Sequence, residues 1–300
     1  MAGLRATPVR VRVPATAANL GPGFDALGLA LGLHDELEAR STADGLTVAV
    51  EGEGADDVAK DESHLVVRAM RRTFDVLGAR PAGLALACRN RIPHSRGLGS
   101  SAAAIVAGVL LARALVDDGA ETLPDGEVLA LASEIEGHPD NVAACLIGGL
   151  TVAWQHDGAR AVRRDVDPAV APVVLVPPFT ASTEQARGLL PETVPHRDAA
   201  FAAGRAALLI AALTGTPQAL FDATEDRLHQ SYRAPAMPRS AELVAELRAA
   251  GHPAVISGAG PTVLVLARGA AEADAVLAKA PDGWTGLAPA VDPHGAQVTV

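Results

Sequence analysis

Pro93-His94-Ser95-Arg96-Gly97-Leu98-Gly99-Ser100-Ser101-Ala102-Ala103 is the stretch whose reading decides the fold. A short strand pattern at 84–88 precedes it, and an apolar, Ala-rich helix pattern at 101–116 follows. Its glycines let backbone N–H groups turn toward one point without side-chain obstruction. The helix behind it presents unpaired N–H groups and the positive end of its dipole to the same point. Together these features make a cradle for phosphate. Ser100 and Ser101 stand where a hydroxyl can cap the helix or reach a phosphate-bound magnesium ion. Alone, the same residues also read as a Ser-capped helix after a glycine turn. The Gly-Lys-Ser/Thr signature of the P-loop is missing, which argues against a Walker-type ATPase.

On the N-terminal side, strand patterns occupy 9–13 and 47–51, with a helix pattern at 65–77. On the C-terminal side come a helix at 129–136 that ends at Gly137 and a strand at 149–154. The pattern restarts beyond Asp165, where the composition turns Pro-rich, so 165–172 is the boundary expected between two domains, 1–165 and 166–300. The second half reads as strand 173–176, helices 199–213, 218–228 and 241–249, and short strands 255–256 and 263–266 around a glycine-rich turn. The class is α+β, in two lobes.

Composition narrows the function. With 49% hydrophobic and 20% charged residues, the 300-residue chain is ordinary for a globular protein. A net charge of −10 argues against nonspecific nucleic-acid binding but leaves room for a nucleotide held by local positive potential. No apolar run reaches the ~20 residues of a transmembrane helix, so no membrane partner is expected. The first residues, MAGLRATPVRVRV, carry no apolar signal core. Cys88 and Cys145 each sit in an apolar stretch, as reduced cytoplasmic thiols would, and do not support a zinc site.

Three further segments hold chemistry-bearing residues. Pro14-Ala15-Thr16-Ala17-Ala18-Asn19-Leu20-Gly21-Pro22-Gly23-Phe24-Asp25 is a small-residue loop with one amide and one carboxylate. Ser257-Gly258-Ala259-Gly260-Pro261-Thr262 reads as a glycine hairpin. Glu134-Ile135-Glu136-Gly137-His138-Pro139-Asp140-Asn141-Val142 puts polar side chains at a helix end, either a plain Pro-Asp-Asn turn or a carboxylate facing Mg²⁺ beside groups that place an acceptor hydroxyl.

Taken together, Pro-x-x-x-Gly-Leu-Gly-Ser-Ser-Ala and these segments resemble the ordered motifs of the GHMP kinases, in the form found in homoserine kinases, over nearly the whole chain. The resemblance implies an N-terminal lobe like the second domain of ribosomal protein S5 and a ferredoxin-like C-terminal lobe, with the site between them. It implies that Pro93, His94, Ser95, Arg96, Gly97, Leu98, Gly99, Ser100, Ser101, Ala102 and Ala103 wrap the ATP phosphates, and that Ser101 and Glu136 ligate Mg²⁺. Asn19 and Asp25 then face the amino-acid substrate, and His138, Asp140 and Asn141 approach it. The hairpin with Gly260 closes the site. Thr183, Arg187 and Arg233 fall in two segments that look like substrate motifs, where Arg pairs bidentately with a carboxylate.

Many GHMP kinases use an Asp base in this neighbourhood, whereas the matching residue is Asn141, which takes no proton at neutral pH. The hydroxyl proton would then pass to the γ-phosphate, with Asp140 the alternative base. His64 stands where the resemblance expects an Asn near the adenine, which puts the base contacts in doubt. The implied reaction is phosphorylation of L-homoserine by ATP, feeding threonine synthesis in the cytoplasm. A mevalonate- or sugar-type kinase and a non-catalytic metabolite-binding protein are the rival readings. A homodimer stays open as the assembly.

Overall fold

Strand alternation starts at Val9. In β1 (Val9–Ala18), Val9, Val11 and Val13 are buried while Arg10 and Arg12 face solvent. The computed structural model describes residues 3–300, except the side chain of Thr183.

Antiparallel to β1 runs β2 (Leu27–Thr42), the longest strand described, with a register shift between Pro14 and Ala15. It has no counterpart in the sequence reading, because Gly, His and alternating charges break its apolar pattern. β2 also branches. Residues 27–29 pair with β5 (Leu150–Gln155) and residues 36–42 with β4 (Gly83–Asn90). β3 (Gly45–Gly52) lies parallel to β4, with α1 (Leu65–Val76) between them in the chain. β6 (Ala159–Arg164) extends the sheet beyond β5.

Four further helices belong to this lobe: α2 (Ser100–Leu115), α3 (Gly119–Thr122), α4 (Asp125–Glu136) and α5 (Asp140–Ile147). α2 is apolar all round and is buried accordingly, packing against α1, α4, α5 and β1. The Pro-Asp-Asn turn is in fact the first turn of α5, separated from α4 by Gly137 in the left-handed conformation (φ 93°).

The second sheet contains β7 (Val170–Val176), β8 (Ala254–Ile256), β9 (Val263–Arg268) and β10 (Thr285–Leu287) in the order β10-β7-β9-β8, all antiparallel. Fourth-first-third-second is the ferredoxin-like order, as expected. One face, through Val174, Val176, Leu264 and Leu266, joins the core of the first lobe. The opposite face, through Val173, Leu175, Val263 and Val265, makes a smaller core. The last strand, β11 (Gln297–Thr299), crosses back to pair with β1.

Six helices accompany this sheet: α6 (Thr183–Gly188), α7 (His196–Gly215), α8 (Leu220–Ala223), α9 (Gln230–Arg233), α10 (Pro238–Ala249) and α11 (Gly269–Leu277). α10 and α11 cover the smaller core through Leu243, Leu247, Ala273 and Val276. α7 is long and apolar enough to cross a membrane by length and composition alone, with Leu209, Ala212 and Leu213 buried in the large core. The single helix expected over 218–228 is broken. A 3₁₀ turn leads into α8, which stops at Thr224, whose hydroxyl bonds back to the Leu220 carbonyl at 2.8 Å. The Asp226 carboxylate then accepts N–H bonds from Leu228, His229 and Gln230 and starts α9.

Candidate active site

Three loops meet at the entrance to α2. Gly97 (φ 75°) and Gly99 (φ 70°) adopt the left-handed conformation. A Cβ on Gly97 would collide with the Ser257 carbonyl oxygen, and one on Gly99 with the Thr16 hydroxyl. The Ser257 hydroxyl donates to the Gly97 carbonyl at 2.6 Å, and the Thr262 N–H to that of Arg96 at 3.2 Å. Thr16 N–H donates to the Leu98 carbonyl at 3.0 Å, and Gly258 N–H to that of Ala18 at 3.0 Å. The segments near residues 16, 97 and 258 are therefore one hydrogen-bonded knot. Of five non-glycine residues with positive φ among those described, four (Asn19, Leu20, Asp25 and Ser95) lie in its loops, where strain is tolerated for function.

Within residues 93–103, side chains and backbone divide the work. Leu98, Ala102 and Ala103 are buried, and the cleft beside the loop is lined by Ser95, Gly97, Gly99, Ser100 and Ser101 instead. The Arg96 guanidinium bonds to the carbonyls of His94, Pro177 and Pro178, which ties the loop to the end of β7. Gly99, not a serine, is the N-cap of α2, and no side chain caps the helix. Ser101 instead donates its hydroxyl to Glu136 Oε1 at 2.6 Å. Two hard oxygen donors thus meet beside the start of α2, the ligand type that suits a magnesium ion. Burial raises the Glu136 carboxyl above its ordinary value, and the Ser101 bond partly offsets this.

A cleft of about 280 Å³ runs from this point to the charged side chains, with Gly99, Ser101, Glu136, Asn141, Asp25 and Arg233 all on its wall. Arg187 of α6 forks onto Asp25 at 3.0 and 3.4 Å. Arg233 of α9 is buried and has no carboxylate within salt-bridge distance among the described residues. Burial and then the neighbouring Arg187 pull its guanidinium below its usual value. Asn19 organises the loop around it, accepting the Asp25 N–H at 2.9 Å and donating to the Gly258 carbonyl at 2.8 Å. His138 Nδ1 lies 3.5 Å from Asp140 Oδ1, and that carboxylate raises the imidazole above its usual value. Thr16 donates to Asn141 Oδ1 at 2.7 Å, which leaves the Nδ2 of Asn141 for the cleft.

A second cavity, about 270 Å³, shares Ser95, Ser100 and Ser101 with the first. His64, Ser63, Asn90 and His94 line it. His64 is buried there with Nδ1 unpartnered among the described residues, and burial lowers its pKa below the usual imidazole value.

Asn19, Asp25, Glu136, His138, Asp140, Asn141, Arg187, Arg233 and Gly260 therefore share one cleft with the glycine–serine loop. Pro93, His94, Arg96, Leu98, Ala102 and Ala103 are not on the wall of that cleft, and His94 lines the second cavity. Thr183 opens α6, and its side chain lies outside the described part. Sequence reasoning missed Thr16 and His229, which act on Asn141 and Arg233 by contact. Thr16 is the one hydroxyl residue of the 14–25 loop, and that is its signal in the sequence. His229 stood in the segment Leu228–Arg233 that looks like a substrate motif, where only Arg233 was singled out.

The sequence profile of the GHMP kinases N terminal domain matches residues 64–149, and that of the GHMP kinases C terminal domain matches residues 200–285. The homoserine kinase of Streptomyces avermitilis is 58% identical, with 99% of this chain and 98% of that protein covered. That of Clavibacter michiganensis is 52% identical, over 97% and 94% of the two chains. The crystal structure of homoserine kinase from Cytophaga hutchinsonii superposes with a TM-score of 0.85 at 25% identity, covering 100% of this chain and 99% of that one. Two matching domain profiles and full-length likeness place the chain in the GHMP kinase superfamily, as a member of its homoserine kinase family.

Proposed function

We propose that this protein transfers the γ-phosphoryl group of ATP to the side-chain hydroxyl of L-homoserine, giving O-phospho-L-homoserine for threonine synthesis in the cytoplasm. The observation that carries the reading is a buried guanidinium, Arg233, with no carboxylate within salt-bridge distance among the described residues, in the same cleft as the phosphate cradle. Burying an uncompensated charge is costly unless a ligand completes the pair. A substrate carboxylate does so, in the bidentate geometry that guanidinium favours.

The residue roles follow from this. Backbone N–H groups of the 97–101 turn and the α2 N-terminus hold the phosphates. Ser101 and Glu136 would hold Mg²⁺, which supplies charge neutralisation on those phosphates when bound. Asp25, with Asn19 shaping its loop, receives the substrate ammonium, while Arg187 and Arg233 receive the carboxylate. Thr183 and the Gly260 turn complete that end. His138, Asp140 and Asn141 place the hydroxyl in line with the γ-phosphate. Since Asn141 is no base, the hydroxyl proton moves to a phosphoryl oxygen during transfer, which a loose transition state permits. The base of the nucleotide enters the second cavity, beside His64. Residues 1–165 supply the nucleotide side in this scheme. Residues 166–300 supply the substrate arginines and the closing turn.

Coupled measurement of ADP release, with phosphorus NMR of the product, tests the proposal. Release that requires L-homoserine and yields a phosphate monoester is expected. ADP release indifferent to homoserine would reject the substrate.

A further inference from the structure

His229 is a fully buried imidazole that the scheme above does not use. Its Nε2 lies 2.8 Å from the Gly21 carbonyl oxygen. A carbonyl only accepts, so Nε2 carries the proton. In the neutral ring Nδ1 is then an acceptor, and it stands 3.3 Å from Arg233 Nη1. Burial holds the ring neutral, lowering its pKa despite nearby Asp226. His229 and Arg233 are four residues apart on one helical turn, so their side chains share a face. Phe24 fixes both, with the His229 ring stacked on it at 5.0 Å and the Arg233 Cζ 5.1 Å from its centroid.

The charged groups around this pair are otherwise committed. Asp226 approaches His229 at 3.8 Å, but its oxygens take the N–H groups of residues 228, 229 and 230. Asp25 is held by Arg187, and Asp140 accepts the Asn141 N–H and faces His138. The other N–H groups of Arg233 make no hydrogen bond among the described residues.

We propose that His229 is a positioning residue that aims the Arg233 guanidinium at the substrate carboxylate, through a neutral acceptor that leaves the cation's charge uncompensated. A carboxylate in its place would also orient Arg233, but it would neutralise the charge and compete with the substrate. An imidazole fixed in one tautomer gives orientation alone. The inference rests on the assignment of Arg233 to the carboxylate of homoserine.

A double-mutant cycle between His229→Leu and Arg233→Ala tests it, with KM for homoserine, KM for ATP and kcat as readouts. His229→Leu alone is expected to raise the homoserine KM about 10- to 100-fold, the range of one lost hydrogen bond to a charged group. KM for ATP should stay within ~2-fold on the same basis, since the phosphate end is untouched. In the Arg233→Ala background the same change should cost nothing more. Equal losses in both backgrounds, or a parallel fall in kcat with KM unmoved, would overturn the proposal. Where His229→Leu does not fold, His229→Asn and His229→Gln decide. Asn keeps an acceptor at the Nδ1 position, while Gln keeps only the group facing Gly21. Asn should therefore preserve the homoserine KM and Gln should raise it; the reverse order, or equal effects, counts against the idea. Homoserine turnover by the unaltered enzyme is the control, because its failure sinks the substrate assignment and not the His229–Arg233 contact.

Discussion

At one end of the cleft, Gly97, Gly99 and the first turn of α2 present backbone N–H groups, and the nearest arginine, Arg96, is turned away to bind carbonyls. At the other end, Asp25, Arg187 and Arg233 come from a loop and two separate short helices and present charged side chains. Backbone recognition needs a contiguous run of small residues, because every N–H must point the same way. Side-chain recognition needs only convergence in space, from any number of elements. The two ends should therefore fail differently when altered. Damage at the first should act on the transferred phosphoryl group, and damage at the second on the grip on the amino acid.

The largest effect is expected at Glu136. Glu136→Gln keeps the shape but removes the charge facing the cradle, so kcat/KM should fall by about 10²- to 10³-fold, as when one transition-state electrostatic contact is lost. Homoserine binding, measured by calorimetry without nucleotide, should be unchanged. A variant that loses homoserine binding as well would mean that the two ends are not separate.

Next comes the contrast between the arginines. Arg233 is buried with no carboxylate in salt-bridge contact among the described residues, whereas Arg187 is 38% exposed and already paired with Asp25. Arg233→Ala should raise the homoserine KM about 100-fold or more, the scale of truncating a buried charge pair. Arg187→Ala should raise it about 10-fold or less, because an exposed pair contributes little. Steady-state kinetics at saturating ATP measures both. An equal pair of effects would break the distinction between a waiting cation and an occupied one.

The same contrast explains what the sequence revealed. In residues 93–103 the turn and the helix were legible because small residues and an apolar run stand side by side in the string, whereas the meeting of that turn with the 257–262 hairpin was implied only by the resemblance. The strand of β1 showed in its Val-Arg alternation, and the helix of α2 in its unbroken apolar run. β2 was hidden because half of it is buried on both faces and half is amphipathic, so no single period spans it. α5 was hidden behind Pro139, Asp140 and Asn141, residues that favour turns and helix starts alike. The broken helix at 218–228 depended on Thr224 and Asp226 bonding to the backbone, a local competition that apolar spacing does not register. At the amino-acid end the residue types were readable. That Arg187 is paired and Arg233 is not, and that Thr16 and His229 stand behind Asn141 and Arg233, is tertiary information.

The smallest expected effect concerns stability, and it sharpens the view of the phosphate end as a site held ready at a cost. Burial raises the Glu136 carboxyl above its ordinary value. Between the ordinary value and the raised one, the folded protein binds more protons than the unfolded chain. Stability therefore falls as pH rises through that window. Above it, ionised Glu136 destabilises the nucleotide-free protein, and Glu136→Gln is relieved of that cost. At pH 7 the variant should melt about 0.5–1 °C higher, the shift that a few tenths of a kcal/mol makes in a chain of this size. The gain should vanish near pH 4, where the carboxyl is protonated in both states. Thermal melts at the two pH values measure it, and a variant less stable than the parent at pH 7 would show that the Ser101 hydrogen bond outweighs the burial of the charge.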